Sequence, residues 1–137
     1  MAESATMQVE LVSPERILYS GEAEMVIART VGGGDIAFLA GHAPFLGALD
    51  IGLVRIQQPG GKEERAAVHG GFVEVSRRDD KTKVTILSDV AELASQIDVA
   101  RAERARERAE SALRGENDAE AEAAMRRAHV RLDVARR

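Results

Sequence analysis

The chain changes character near residue 93, and that change limits what it can fold into. Eleven of its twelve glycines and all three prolines lie before residue 72, whereas Ser95 to Arg137 contains one glycine, Gly115, and no proline. Glycine and proline punctuate strands and tight turns and are costly inside helices. The first part must therefore be strands joined by turns, and the second part helical.

Within the first part, Gln8 to Ser13 alternates polar and apolar side chains with period two, the pattern of a half-buried strand ended by Pro14. Further extended pieces are expected at 16–19, 23–29, 36–39, 52–57, 64–69, 72–75 and 83–87. Turns are expected at Gly32-Gly33-Gly34-Asp35, Pro59-Gly60-Gly61-Lys62, Gly70-Gly71 and Arg78-Asp79-Asp80-Lys81. Short strands about ten residues apart suggest a sandwich or flattened barrel.

The second part predicts two helices, over 98–113 and 118–135. Ser95 with Asp98, and Asn117 with Glu120, have the spacing of capping boxes, and Gly115 suits the residue just beyond a helix end. The apolar stripe is mostly alanine: Ala102, Ala105, Ala109 and Ala112, then Ala121, Ala124 and Ala128, with Leu113, Met125 and Leu132 adding bulk. A buried carbon unit contributes about 0.8 kcal/mol and a buried Leu about 1.5–3 kcal/mol, so an alanine seam predicts close but weak docking. Surface pairs such as Arg106 with Glu110 and Glu122 with Arg126 support each helix by about 0.2–0.5 kcal/mol and do nothing for docking. The expected fold is α+β: an antiparallel β-sandwich or flattened barrel over 1–92, followed by a two-helix antiparallel hairpin over 93–137.

Composition narrows the function classes. A net charge of −4 and four aromatic residues, Tyr19, Phe38, Phe45 and Phe72, argue against a nucleic-acid binder. With no cysteine, disulfides and thiolate metal sites are excluded. The N-terminal residues lack a signal-peptide layout and no apolar run is long enough to span a bilayer. A soluble protein is expected, reaching a membrane only through a partner. Gly32-Gly33-Gly34 lacks the Lys-Ser/Thr of a phosphate loop. His42, His69 and His129 have no partner at a triad-like spacing, so neither catalytic nor metal-ligating residues are expected. A small hydrolase built on His42 and Asp50 is a remote alternative.

The order of several motifs resembles the epsilon-subunit family of the F-type, proton-translocating ATP synthases of bacterial type. They are Val9-Glu10-Leu11-Val12-Ser13-Pro14-Glu15-Arg16 with Tyr19-Ser20-Gly21, then Gly41-His42-Ala43-Pro44, Gly70-Gly71-Phe72-Val73-Glu74-Val75, and Ile97-Asp98-x-x-Arg101-Ala102. Ala37 and Ala40 stand where the family usually has glycine and proline. The resemblance implies a non-catalytic rotor subunit of the central stalk, peripheral on the cytoplasmic face of the plasma membrane. Its sandwich would contact the gamma subunit and the membrane c-ring, with Asp35 and His42 near the ring. Its helical arm would either fold on the sandwich or extend towards the alpha and beta subunits and restrain ATP hydrolysis.

No cofactor is required, but some relatives bind ATP as a regulatory ligand in the folded arm. Matched residue by residue, the resemblance implies Glu92, Ile97, Asp98, Arg101, Ala102 and Arg108, with Arg127 and Arg131 on the second helix. Residues 98, 101, 105 and 108 share one helical stripe, and arginines grouped by antiparallel packing suit a polyphosphate. Two readings stay open: Asp98 and Arg101 form a nucleotide site, or Asp98 caps a helix beside a solvated arginine. The chain as a whole is otherwise read as a generic adaptor, a sandwich carrying a helical hairpin.

Overall fold

The computed structural model describes residues 5–115 and 118–136. Eight strands come first: β1 (Met7–Val12), β2 (Ile17–Ala23), β3 (Met25–Thr30), β4 (Gly34–Leu39), β5 (Phe45–Gln57), β6 (Glu63–Arg78), β7 (Lys81–Leu87) and β8 (Ala91–Leu93). A single 3₁₀ turn, Ala94–Gln96, leads into α1 (Val99–Gly115) and α2 (Ala119–Arg136). The β-domain followed by two helices is the expected fold class.

All strands belong to one hydrogen-bonded sheet that folds over on itself. The long strands β5 and β6 pair throughout, from Phe45↔Val75 to Gln57↔Glu63. The second half of β6 pairs β7, which pairs β1, which pairs β2. The first half of β6 pairs β8, while the second half of β5 pairs β3, which pairs β4. The two halves of the β5–β6 ribbon thus lie in opposite layers. Every pair is antiparallel except β1 with β7, which run parallel.

Between the layers lies the core. Met7, Val9 and Leu11 from β1 meet Val84 and Ile86 from β7, and across from them lie Val26, Phe38, Val54, Ile56 and Val68. Each strand contributes alternate residues, as a period-two pattern requires. Several features differ from expectation: β8 has no expected counterpart, and β2 runs on through Ser20-Gly21 to Ala23. Residues 64–69 and 72–75 are one strand, because Gly70 and Gly71, at φ of 86° and 128°, bend β6 without ending it. Similarly, Phe45 to Ile51 extends β5 backwards from the expected 52–57.

The helices fall within two residues of their expected ends, but their caps differ. Asp98, not Ser95, caps α1: its carboxylate accepts from the Arg101 N–H at 3.0 Å and its carbonyl from the Ala102 N–H at 3.0 Å. Ser95 lies in the 3₁₀ turn, and Gly115 is the last residue of α1 and not the one beyond it. The expected Asn117 cap lies outside the described residues. Asp118 caps α2, its carboxylate accepting from the Glu120 N–H at 2.9 Å.

The largest difference concerns docking. The alanine seam joins α1 to α2, with Ala102, Ala109, Ala121 and Ala128 buried and Ala112 exposed. A second seam attaches the arm to the sandwich. There Val130 and Val134 of α2 pack with Ala67, Ile51, Leu53, Ala94 and Ile97. Helix α2 therefore has two covered faces, and α1 packs chiefly on α2. Arg106 pairs with Glu110 as expected, and also with Glu103, but Arg126 reaches Asp50 of β5 at 3.4 Å in preference to Glu122.

A Cβ added at Gly71 would sit 2.0 Å from the Leu87 carbonyl oxygen, whereas one at Gly32, also at positive φ, meets open space. Gly71→Ala should lower stability by about 3 kcal/mol or more through a backbone clash added to conformational strain. Gly32→Ala should cost about 1 kcal/mol, the left-handed conformation alone. Equilibrium urea unfolding of both variants measures the difference.

Candidate functional site

Where β8 turns into α1, the chain brings three elements together. The 3₁₀ turn carries Gln96 to the edge of the sandwich, Asp98 starts α1, and α2 returns antiparallel beside it. Between them is a cleft of about 270 Å³ lined by Glu92, Gln96, Asp98, Arg101, Ala102, Ala105, Arg108 and Arg131. Six of the eight residues singled out in the sequence meet here. The other two do not line it. Ile97 turns into the apolar seam under α2, and Arg127 is drawn back along its own helix by Glu120, 2.8 Å away.

At one end of the cleft Glu92 is held from two sides. Its Oε1 accepts from His69 Nε2 on β6 at 3.3 Å and from Arg131 Nε on α2 at 2.5 Å. The His69 hydrogen bond is the main cause holding the Glu92 carboxyl below its ordinary value of 4.5. Partial burial opposes that effect, and the hydrogen bond and charge of Arg131 add to it. The carboxylate thus ties β6, β8 and α2 together. Linear spacing does not reveal the His69 contact, because the two residues are 23 positions apart and meet only when β8 pairs with β6.

Along α1 the cleft is open to solvent. Arg101 and Arg108 are exposed on α1 and form no ion pair among the described residues. Arg106, by contrast, is taken up by Glu103 and Glu110, while Arg136 clasps Glu103 across the hairpin. Ala102 is 3% exposed on the same helix, and its small side chain keeps the wall low. One end of the cleft therefore offers two free guanidinium groups for an anion, and the other offers a carboxylate and an amide for hydrogen bonding. The volume is at the small end for a ligand pocket, so an occupant would be partly exposed. Asp98 does cap α1, but it does so while lining the cleft. The two readings of this residue are compatible.

Asp35 and His42 stand at opposite ends of β4. Asp35 pairs with Arg29 at 3.1 Å, with both side chains about half exposed, beside a groove of about 450 Å³ whose far wall includes Arg126 and His129 of α2. His42 lies in the β4–β5 loop, its ring edge-on to Phe38 with centroids 5.1 Å apart and its Nδ1 2.7 Å from the Ala43 carbonyl oxygen. That loop is tied to β7 through the Gly41 N–H, which donates to Thr82 Oγ1 at 2.8 Å. Asp50, the other residue of the hydrolase alternative, accepts from the Ile51 N–H and pairs with Arg126.

On the sheet layer away from the helices, large apolar side chains are exposed in register. Phe72 on β6 is opposite Leu87 on β7 and Ala48 on β5, and the Ala48 carbonyl accepts from the Val31 N–H. Val31, Phe72 and Leu87 are each more than half exposed. The alternation of β6 puts Phe72 on the outer face, but its sequence context gives no sign that its neighbours would be apolar too.

Known proteins resemble this chain over nearly its whole length. Residues 6–94 match the family model described as the ATP synthase delta/epsilon chain beta-sandwich domain, and residues 95–136 match that of its long alpha-helix domain. The ATP synthase epsilon chain of Streptomyces griseus is 50% identical over 129 residues, covering 94% of each chain. That of Brevibacillus brevis is 53% identical over 107 residues, covering 78% of this chain and 77% of that one. A chain in the OSCP/F1/c-ring structure of the Euglena gracilis mitochondrial ATP synthase superposes with a TM-score of 0.80. It covers 96% of this chain and 81% of that one at 24% identity, a likeness of fold.

Because the folded Glu92 pKa is lowered, the carboxylate's contribution to arm docking is fully present above about pH 4.5 and is lost as pH falls through the lower folded value. The protection of α2 amides, taken relative to their intrinsic exchange at each pH, should therefore fall on acidification below that range in the native chain. Glu92→Gln should show faster exchange at neutral pH and no further change of this origin on acidification. Equal acid sensitivity in the two proteins would contradict the assignment.

Proposed function

The chain belongs to the delta/epsilon-chain family of the ATP synthases, and from that premise we propose that it is a non-catalytic rotor subunit whose arm is a two-state regulator of ATP hydrolysis. The sandwich couples the c-ring to the gamma subunit. In its folded state the arm lies along β5 and β6, and in its extended state it reaches the alpha and beta subunits. The protein works at the cytoplasmic face of the plasma membrane, held there by its partners. Among the described residues no helix is long and apolar enough to cross a bilayer, consistent with attachment of this kind.

The apolar row Val31, Ala48, Phe72 and Leu87 supports a protein partner on the outer layer, since exposed patches of this sort mark interaction surfaces. We assign it to gamma. The β3–β4 turn with Asp35 and the β4–β5 loop with His42 are assigned to the ring. A partner touching both would span β4, roughly 20 Å of extended chain.

The arm's attachment supports the two-state reading. Two valines form most of the apolar contact with the sandwich, each contributing about 1.5–3 kcal/mol if fully buried. Polar contacts across this seam include Arg131 with Glu92, Arg126 with Asp50, and Arg65 Nε donating to the Val134 carbonyl at 3.4 Å. The alanine seam and the Arg136–Glu103 clasp belong to the hairpin itself and survive undocking.

ATP is the proposed ligand of the folded state, with its phosphates at Arg101 and Arg108 and its base towards Glu92. The observation that carries this reading is the cleft with two unpaired guanidinium groups, assembled only when both helices and β8 are together. At a hundredfold excess over Kd, ATP would stabilise that state by about 2.7 kcal/mol, a shift of about a hundredfold in the equilibrium.

Calorimetric titration of the full chain should register ATP binding, and Arg101→Ala or Arg108→Ala should weaken it about tenfold or more, the loss of a charge-assisted contact to phosphate. Hydrogen exchange should become slower along α1 and α2 with ATP. Unchanged exchange at millimolar ATP would overturn the ligand part of the proposal and leave the stalk assignment standing.

A further inference from the structure

Gln96 lines the cleft but plays no part in the sequence motif that pointed to it. Its side chain is held in one orientation. The Leu93 N–H donates to Gln96 Oε1 at 2.9 Å, and a backbone donor can be satisfied only by the amide oxygen. Oε1 is thereby committed, and Nε2, which has no other partner among the described residues, is left with donors alone. Glu92 lines the same cleft with the opposite character. Its Oε1 takes both His69 and Arg131, while Oε2 has no donor among the described residues. The base end of the cleft therefore presents an amide that can only donate beside a carboxylate that can only accept.

Resting on the nucleotide reading above, we infer that Gln96 is the specificity-determining residue of the cleft, selecting a base that presents an amine next to a ring-nitrogen acceptor. Adenine has that edge: its exocyclic amine donates to Glu92 and its N1 accepts from Gln96 Nε2. Hypoxanthine and guanine present the reverse pattern, a carbonyl acceptor beside an N1–H donor. With either base the carbonyl faces a carboxylate and the N–H faces an amide donor. The mismatched edge sets donor against donor and acceptor against acceptor, and because Gln96 is exposed the resulting penalty is modest, on the order of tenfold. No bond is made or broken in this recognition, so it bears on affinity alone.

The test is calorimetry on the full chain with ATP, inosine triphosphate and inorganic tripolyphosphate. Gln96→Glu keeps an oxygen for the Leu93 N–H and removes the amide donors. Any general effect of the added negative charge falls on both nucleotides and cancels in their affinity ratio. Gln96→Met removes the donors without adding charge, and its melting temperature reports whether loss of the Leu93 contact disturbs the fold. The native chain should prefer ATP to inosine triphosphate at least tenfold. In Gln96→Glu that ratio should fall to within about threefold of unity, because the new carboxylate accepts from the hypoxanthine N1–H, whereas in Gln96→Met it should fall several-fold but stay above unity, because Glu92 still favours the amine, with tripolyphosphate binding retained. A ratio that survives in Gln96→Glu would overturn the inference and leave ATP binding intact. Binding of tripolyphosphate with no preference between the nucleotides in the native chain would reduce the cleft to an anion site and overturn it as well. If the native chain binds none of the three, the nucleotide reading itself fails, and the assignment of Gln96 falls with it.

Discussion

Strand β6 has neighbours in both layers of the sandwich, β8 along its first half and β7 along its second, with β5 beside it throughout. The change of layer happens at Gly70 and Gly71, whose positive φ values turn the strand while its pairing with β5 keeps a single register on either side. The close approach of Gly71 to the Leu87 carbonyl leaves no room for a side chain there. Because of this bend, Ala66 and Val68 reach the core while Ala67 and His69 face the arm, and Phe72 emerges on the opposite outer face. The core, the arm's seat and the apolar row are all placed by one turn in one strand.

The arm depends on that placement in a particular way. Its two seams have different chemistry and different jobs. Alanines let α1 and α2 approach closely, which stiffens the hairpin as a unit. Branched aliphatic residues on the other side of α2 provide the area that holds the unit to the sheet, and the Glu92 carboxylate links sheet and helix at the end nearest the hinge. On the two-state proposal, separation at the second seam would leave the first intact and the hairpin would move as one piece. The cleft sits where both seams and β8 converge, so its walls come apart when either the hairpin opens or the arm lifts away.

Much of this was legible in the residues, and what was not has identifiable reasons. Alternation and turn chemistry located most strands because those signals are local. The joining of 64–69 to 72–75 was hidden because a glycine pair looks the same whether it ends a strand or bends one. The stripe on α2 was misread because a helix covered on two faces has no single period, so Val130 and Val134 passed as incidental beside the alanines. Six of the eight candidate site residues converge because helical spacing and antiparallel packing suffice to bring them together. Arg127 and Ile97 went elsewhere, to Glu120 and to the apolar seam, since a partner within reach outweighs a motif. His69 and Gln96 were missed for opposite reasons. One is distant in sequence and meets Glu92 only through strand pairing, while the other lies next to the motif but has a backbone contact that sequence does not display.

The parallel pairing of β1 with β7 has a consequence for how the molecule comes into being. Gln8 lies beside Lys83 and Val12 beside Leu87, so β1 finds its second neighbour only after most of the sandwich has been synthesised. Until then β1 can pair only with β2, and its inner residues Met7, Val9 and Leu11 have no Val84 and Ile86 of β7 beside them. Such non-local closure is slow relative to helix formation. The arm, made after the sandwich and from local contacts, can be helical as soon as it emerges, yet the surface it docks on is complete only once β8 has joined β6. Nascent chains would thus pass through a stage in which the helices are formed before the sheet they dock on is closed.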